Sequence, residues 1–153
     1  MTLKIGLTGG IGSGKTTVSH VFHQLGIPIF NSDSYGKKLL EDKDIIRTIV
    51  NKFGTEILDV KQKINKQRLS KIIFSDENKL KFINQLIHPL VTKEFEKWAL
   101  SKKSSYVIKE YALLLQSASN IKLDKVILVQ SPLDLRIQRI KKRDKKSIKE
   151  IKE

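Results

Sequence analysis

The apolar positions of this chain alternate between short continuous runs and longer stretches with helical spacing. Ile5-Gly6-Leu7 forms the first run. Val18, Val21, Phe22 and Leu25 then recur three and four residues apart, which predicts an amphipathic helix with Gly26 as its C-cap. Ile27 to Phe30 is a second strand. The opening thus reads β-α-β, the spacing of a parallel sheet with a right-handed crossover. From Ser34 to Leu100 the pattern is helical with no obvious strand. Leu39, Leu40, Ile45, Ile46, Ile49 and Val50 share one face, which Phe53-Gly54 closes, and Asp59 to Asn65 is a polar turn or small hairpin. Two helices follow, one through Leu69, Ile72, Ile73 and Phe74, the other through Leu80, Ile83, Leu86 and Ile87. Pro89 lacks a backbone N–H and is expected to end the latter, placing His88 in a C-terminal turn before Leu90–Leu100 resumes the stripe.

Tyr106-Val107-Ile108 predicts a third strand, ending in Lys109-Glu110, and Val126–Val129 a fourth whose apolar run suits a sheet buried on both faces. Leu113-Leu114-Leu115 begins the connection between them. Ser131-Pro132 breaks the fourth strand and starts a helix through Leu135 and Ile140. The tail Lys145–Glu153 alternates in sign and reads as solvated. A sheet of this kind normally closes with another strand and helix, and the expectation is that they are missing. The expected organisation is one domain, with a core of residues 1–33 and 105–139, a helical cap over about 34–100 and an incomplete lid region over about 139–153.

Composition narrows this only at a few points. A chain of 153 residues is long enough to bury a core, and its lack of cysteine excludes disulfides and thiolate metal sites. The N-terminus has no signal-peptide pattern, and no window offers eighteen or so uninterrupted apolar residues, so a cytoplasmic protein without membrane association is expected. A net charge of +14 raises the question of an anionic partner. The excess is nearly all lysine, spread along the chain, with five arginines and 7% aromatic residues. Nucleic-acid readers concentrate arginine and stacking aromatics on one face. Nucleic acid is therefore not the expected partner, and the oligomeric state stays open.

The chemistry starts between the first strand and first helix. Gly9, Gly14, Lys15 and Thr16 satisfy G-x-x-x-x-G-K-[ST] in the strand-before, helix-after context that gives the motif its meaning. Backbone N–H groups of Gly10, Ile11, Gly12, Ser13 and Gly14 can point inward at a phosphate, and the helix beginning near Lys15 adds its positive dipole end. Lys15 is expected to reach the β/γ-phosphates, Thr16 to ligate Mg²⁺, and Thr17 to complete the ATP site. The expected fold is therefore a three-layer α/β/α parallel sheet of the P-loop type, with a helical substrate-binding insertion and the start of a lid.

Such a loop does not separate kinases from GTPases or motors, and no N-K-x-D-like base reader occurs. Asp33, after the second strand, could orient or deprotonate an acceptor hydroxyl, or simply cap a helix starting near Ser34. Glu110 could hold Mg²⁺ through water or be an ordinary strand-end acid. Arg139 and Arg143, four apart on one helical face, could close over the phosphates or form a solvated basic end. His88 is either a satisfied buried histidine or a contact to substrate. Small size, an early Asp, a helical cap and late arginines suggest a small-molecule kinase.

These residues together resemble the dephospho-CoA kinase family. GLTGGIGSGKTTV is similar to that family's opening almost letter for letter, and Asn31-Ser32-Asp33 to its D-A-D. Lys37 fills a basic position. Ile72-Ile73-Phe74, Asn84 to Pro89, Ile108 to Leu115 and Arg139 to Asp144 resemble later motifs in order. The departures are Asn31 for the first aspartate, Gln116 for a common glutamate, and the missing end. The resemblance implies ATP-dependent phosphorylation of the ribose 3′-hydroxyl of dephospho-CoA, the last step of coenzyme A biosynthesis, with ATP and Mg²⁺ as cofactors. It implies Asp33 as base, Lys15, Arg139 and Arg143 around the migrating group, and Lys37, His88 and Glu110 toward the acceptor. The alternatives are another P-loop small-molecule or nucleotide kinase, or an ATP-binding protein associated with nucleic acid.

Overall fold

Four parallel strands form the sheet: β1 (Leu3–Gly9), β2 (Ile29–Asn31), β3 (Tyr106–Glu110) and β4 (Lys125–Val129), in the order β2-β3-β1-β4. The computed structural model describes residues 2–111 and 122–144. Expectations for Leu113-Leu114-Leu115, Gln116 and Lys145–Glu153 lie outside them. The helices are α1 (Lys15–Gln24), α2 (Ser32–Leu39), α3 (Lys43–Phe53), α4 (Lys66–Phe74), α5 (Glu77–Leu100) and α6 (Leu133–Asp144), with a 3₁₀ turn at Thr55–Ile57.

The described chain divides into two compact units, one made of residues up to Asn31 together with those from Phe95 onward, the other of Ser32–Glu94. In the sheet unit, Leu7, Phe30, Phe95, Val107, Ile108 and Ile140 are buried. α1 covers one face of β3, since its Ser19 bonds Glu110, while the final turns of α5 cover the other, where the Phe95 ring meets Lys109. The chain leaves α1 through a Schellman turn: Gly26, at φ +79°, donates to His23 and Ile27 donates to Phe22. In the helical unit, Ile45, Ile49, Ile57, Ile64, Leu69, Ile83, Ile87 and Val91 form the buried set. Phe53 and Phe82 meet edge to face at 5.6 Å. An isolated antiparallel bridge from Leu58 to Ile64 makes the expected small hairpin, pinned by Asp59, whose carboxylate accepts the Lys61 and Lys63 amides.

Four expectations change. Pro89 does not end its helix; α5 runs unbroken from Glu77 to Leu100. The buried stripe Ile83, Ile87, Val91, Phe95 and Ala99 continues across the proline at four-residue spacing, and that burial outweighs the one hydrogen bond proline removes. His88 therefore lies in mid-helix. The face from Leu39 to Val50 is split, because the Asp42 carboxylate accepts from the Asp44 and Ile45 amides and starts α3 afresh. Asp33 is not a cap; α2 begins at Ser32 and places Asp33 inside its first turn. Finally, β4 ends the sheet among the described residues, and Val126 and Leu128 are about half exposed rather than buried on both faces.

Candidate active site

The loop between β1 and α1 owes its shape to two left-handed positions, Gly12 at φ +74° and Gly14 at φ +96°, where an L side chain would be strained. A Cβ on Gly12 would also lie 2.8 Å from the Arg136 carbonyl oxygen. Ser13, between them, is buried, and its Oγ has no hydrogen-bond partner among the described residues. A buried hydroxyl is costly unless bonded. Beside it, the N–H groups of Lys15 and Thr16 at the start of α1 lack intrahelical partners, while that of Thr17 donates to the Gly14 carbonyl. An orphaned hydroxyl and helix-end amides in a glycine turn fit a bound anion, so the donor set suits the phosphates of ATP. Lys15 opens α1 half-buried, while Thr16 and Thr17 are exposed on its first turn. Among the described residues no group of three or more His, Asp or Glu side chains could hold a metal unaided. Mg²⁺ takes one or two protein oxygens and completes its shell with phosphate and water, and the exposed Thr16 hydroxyl is one such oxygen.

α6 braces this loop from a distance of more than 120 positions in the chain. Arg136 Nε donates to the Ile11 carbonyl at 2.9 Å, and its guanidinium stands over Gly10. Arg139 Nη1 donates to the Gly12 carbonyl at 3.1 Å and to Ser131 Oγ at 3.3 Å. Arg136, Gly10, Ser13, Val129, Gln130 and Pro132 line an open cleft of about 590 Å³ beside the loop. Arg139 thus reaches the loop through the Gly12 carbonyl. Arg143 instead binds Asp144 through two bonds, at 2.6 and 2.8 Å, which raises its already high pKa. Sequence reasoning missed Arg136. Its signal was available, since Arg136, Arg139 and Arg143 are spaced three and four apart on one helical face.

Glu110 lies at the carboxyl end of β3, in register with Leu7 of β1 and Asn31 of β2. It is 7% exposed, and its Oε2 accepts from Ser19 Oγ at 2.9 Å and Asn31 Nδ2 at 3.1 Å. The preceding residue, Lys109, is 1% exposed on the opposite face. Its Nζ has no hydrogen-bond partner among the described residues and sits 4.7 Å from the Phe95 ring centroid. Burial lowers its pKa to about 8, against an opposing pull from Glu96.

Three expected site residues belong to the helical unit. Asp33 and Lys37 lie four apart on α2, both exposed, and Gly36 between them faces Ile87 and Val91 of α5 closely enough that a Cβ would just touch. His88 is half-buried on α5. Tyr35 is also half-buried there, its pKa raised by burial and by a hydrogen bond to Glu94.

A family model described as dephospho-CoA kinase matches residues 3–153. A Bacteroides fragilis dephospho-CoA kinase is 35% identical over 153 residues, 99% of this chain and 74% of its own length. One from Coxiella burnetii is 33% identical over 97% of this chain and 76% of its own. Among solved structures, a Thermus thermophilus protein superposes with a TM-score of 0.85 at 26% identity, covering 98% of this chain and 76% of the other. The dephospho-CoA kinase from Campylobacter jejuni does so with 0.69 at 25% identity, covering 99% and 78%. With a glycine loop built for phosphate and a match that spans all but its first two residues, the chain belongs to the dephospho-CoA kinase family.

Proposed function

We propose that this protein transfers the γ-phosphoryl group of ATP to the ribose 3′-hydroxyl of dephospho-CoA, releasing CoA and ADP. The observation that carries the choice of acceptor is the family match over residues 3–153, because loop chemistry alone is shared by kinases of many acceptors. It favours this reading over another small-molecule kinase or a nucleic-acid-associated ATP-binding protein.

Phosphoryl transfer asks a protein mainly for positioning and charge stabilisation. ATP, when bound with Mg²⁺, supplies the transferred group and the cation that spreads its charge. The amides of Gly10, Ile11, Gly12 and Gly14 cradle the phosphates, the Ser13 amide being held by the Gly10 carbonyl, and the Ser13 hydroxyl finds there the partner it lacks among the described residues. Lys15 neutralises the β/γ oxygens, Thr16 offers its hydroxyl to Mg²⁺, and Thr17 supports the same turn. Arg139, held at Gly12, stabilises charge on the migrating group. Arg143 joins it only by exchanging Asp144 for phosphate. Asp33 takes the proton of the acceptor hydroxyl, while Lys37 and His88 bind the acceptor. A cytoplasmic location belongs to the proposal and rests on the soluble substrates alone.

The test is a coupled ADP-release assay offering dephospho-CoA, AMP, shikimate or no acceptor. Release that requires both dephospho-CoA and Mg²⁺ is the expected result. ATP binding without acceptor-dependent release would overturn the assignment, and full turnover by Asp33→Asn would remove the base.

A further inference from the structure

We propose that Ser19 and Asn31 are positioning residues: they hold the Glu110 carboxylate as an outer oxygen ligand, acting through water, for the Mg²⁺ that Thr16 binds. The proposal rests on the ATP·Mg²⁺ reading above. It assigns to Ser19 and Asn31 a task that neither the motif nor the family match gives them.

Glu110 is buried, yet among the described residues no lysine, arginine or histidine forms an ion pair with it. Both of its hydrogen bonds come from neutral donors, and both fall on one oxygen, Oε2. Neutral donors reduce the cost of burying a carboxylate and fix its orientation, but they leave its full negative charge. Buried charges in proteins are paired or coordinate metals. Lys109, the adjacent cation, cannot serve, because it lies on the other face of β3 against Phe95.

Placement supplies the second part. Ser19 follows Thr16 by three residues on α1, so the two hydroxyls share one side of the helix. The Ser19 bond therefore ties Glu110 to α1 about one turn along from Thr16. Asn31, paired in register with Glu110, donates from the neighbouring strand. An aspartate at position 31 would set a second carboxylate about 3 Å from the first, and one of them would take up a proton. Asn31 adds no second charge beside Glu110 and helps fix its orientation. A group one shell removed from a metal, as Glu110 is here, is worth about 10- to 100-fold in metal affinity, and Ser19 and Asn31 act through it.

The experiment measures the Mg²⁺ concentration that half-maximally tightens binding of a fluorescent ribose-labelled ADP, with a parallel titration in EDTA and thermal melts of each protein. Ser19→Ala and Asn31→Ala are expected each to raise that Mg²⁺ half-point by roughly 10-fold, with nucleotide affinity in EDTA unchanged within about twofold. Glu110→Gln should raise it as well, and Asn31→Ala added to Glu110→Gln should raise it no further, because the two act as one unit. Asn31 is exposed, so its truncation leaves the core intact and the assay interpretable even where Ser19→Ala destabilises. A shifted half-point for Thr16→Ala beside wild-type half-points for the Ser19 and Asn31 variants would overturn the proposal alone. A wild-type half-point for Thr16→Ala would remove the metal reading beneath it, and the proposal with it. An equal loss of affinity in EDTA would also overturn it, by showing an effect on the fold rather than on the metal.

Discussion

Glu110 and Lys109 are neighbours in sequence and almost equally inaccessible, but they face opposite sides of β3. On the α1 side, the Glu110 carboxylate meets two well-placed donors. On the α5 side, the Lys109 ammonium meets an aromatic ring and, among the described residues, no acceptor within bonding distance, and its pKa falls to about 8. One charge is oriented and left uncompensated, which is the condition for holding a cation. The other is tolerated at a cost, with an aromatic face as partial compensation. Burial alone therefore does not mark a functional group. The kind of partner does.

The comparison is broken most severely at Glu110 itself. Glu110→Ala should lower kcat/KM by roughly 100-fold at limiting Mg²⁺, in steady-state assays, with the loss shrinking as Mg²⁺ is raised. An unchanged Mg²⁺ dependence would reduce Glu110 to a structural acid. On the other face, Lys109→Met should stabilise the fold at pH 7 by on the order of 2–3 kcal/mol, read from urea melts, with turnover nearly unaltered. The pH dependence carries the sign. Lys109 titrates near 8 in the folded chain and near the ordinary lysine value of 10.5 when unfolded, so between those values the unfolded chain holds more protons. Its contribution to stability is thus flat below about pH 8 and rises toward about pH 10.5, a rise that Lys109→Met should abolish.

Smaller changes sharpen the contrast. Asn31→Asp should cost about 10-fold in kcat/KM and move the acidic limb of the pH–rate profile up by about one unit, since paired carboxylates share a proton. Phe95→Leu should lose about 1–2 kcal/mol from reduced burial and the missing ring beneath Lys109, visible as a lower urea midpoint. Least of all, Glu96→Gln should depress the Lys109 pKa a little further, because the charge of Glu96 opposes its fall. A pH titration followed through Nζ resonances would show it.

Much of the sheet and the phosphate loop was legible because short-range physics decides them. Glycines at left-handed turns, an apolar run before them and a helical period after them leave few alternatives at Gly9 to Phe22. What was not legible depends on distant partners. Nothing local says that Pro89 sits inside a helix; the stripe running from Ile83 through Val91 to Ala99 does, once its burial is known. The apolar run of β4 matches a central strand, yet its place at the end of the sheet is set by pairing with β1. Arg136 looked like one more basic residue because its bond to Ile11 joins positions 125 apart. Asn31 read as a weakened aspartate until its partner Glu110 was placed beside it.

β1, which leaves the ribosome before both of its neighbours, lies between β3 and β4, and its loop is tied down by arginines of α6. During synthesis that strand waits for about a hundred later residues, roughly 5–20 s at ordinary elongation rates, before either neighbour exists. Through that interval an apolar segment with unpaired amides travels with a half-made nucleotide site. Slow codons or cold should therefore reach this protein first through its yield of soluble chain, well before they alter the catalytic constants of molecules that have folded.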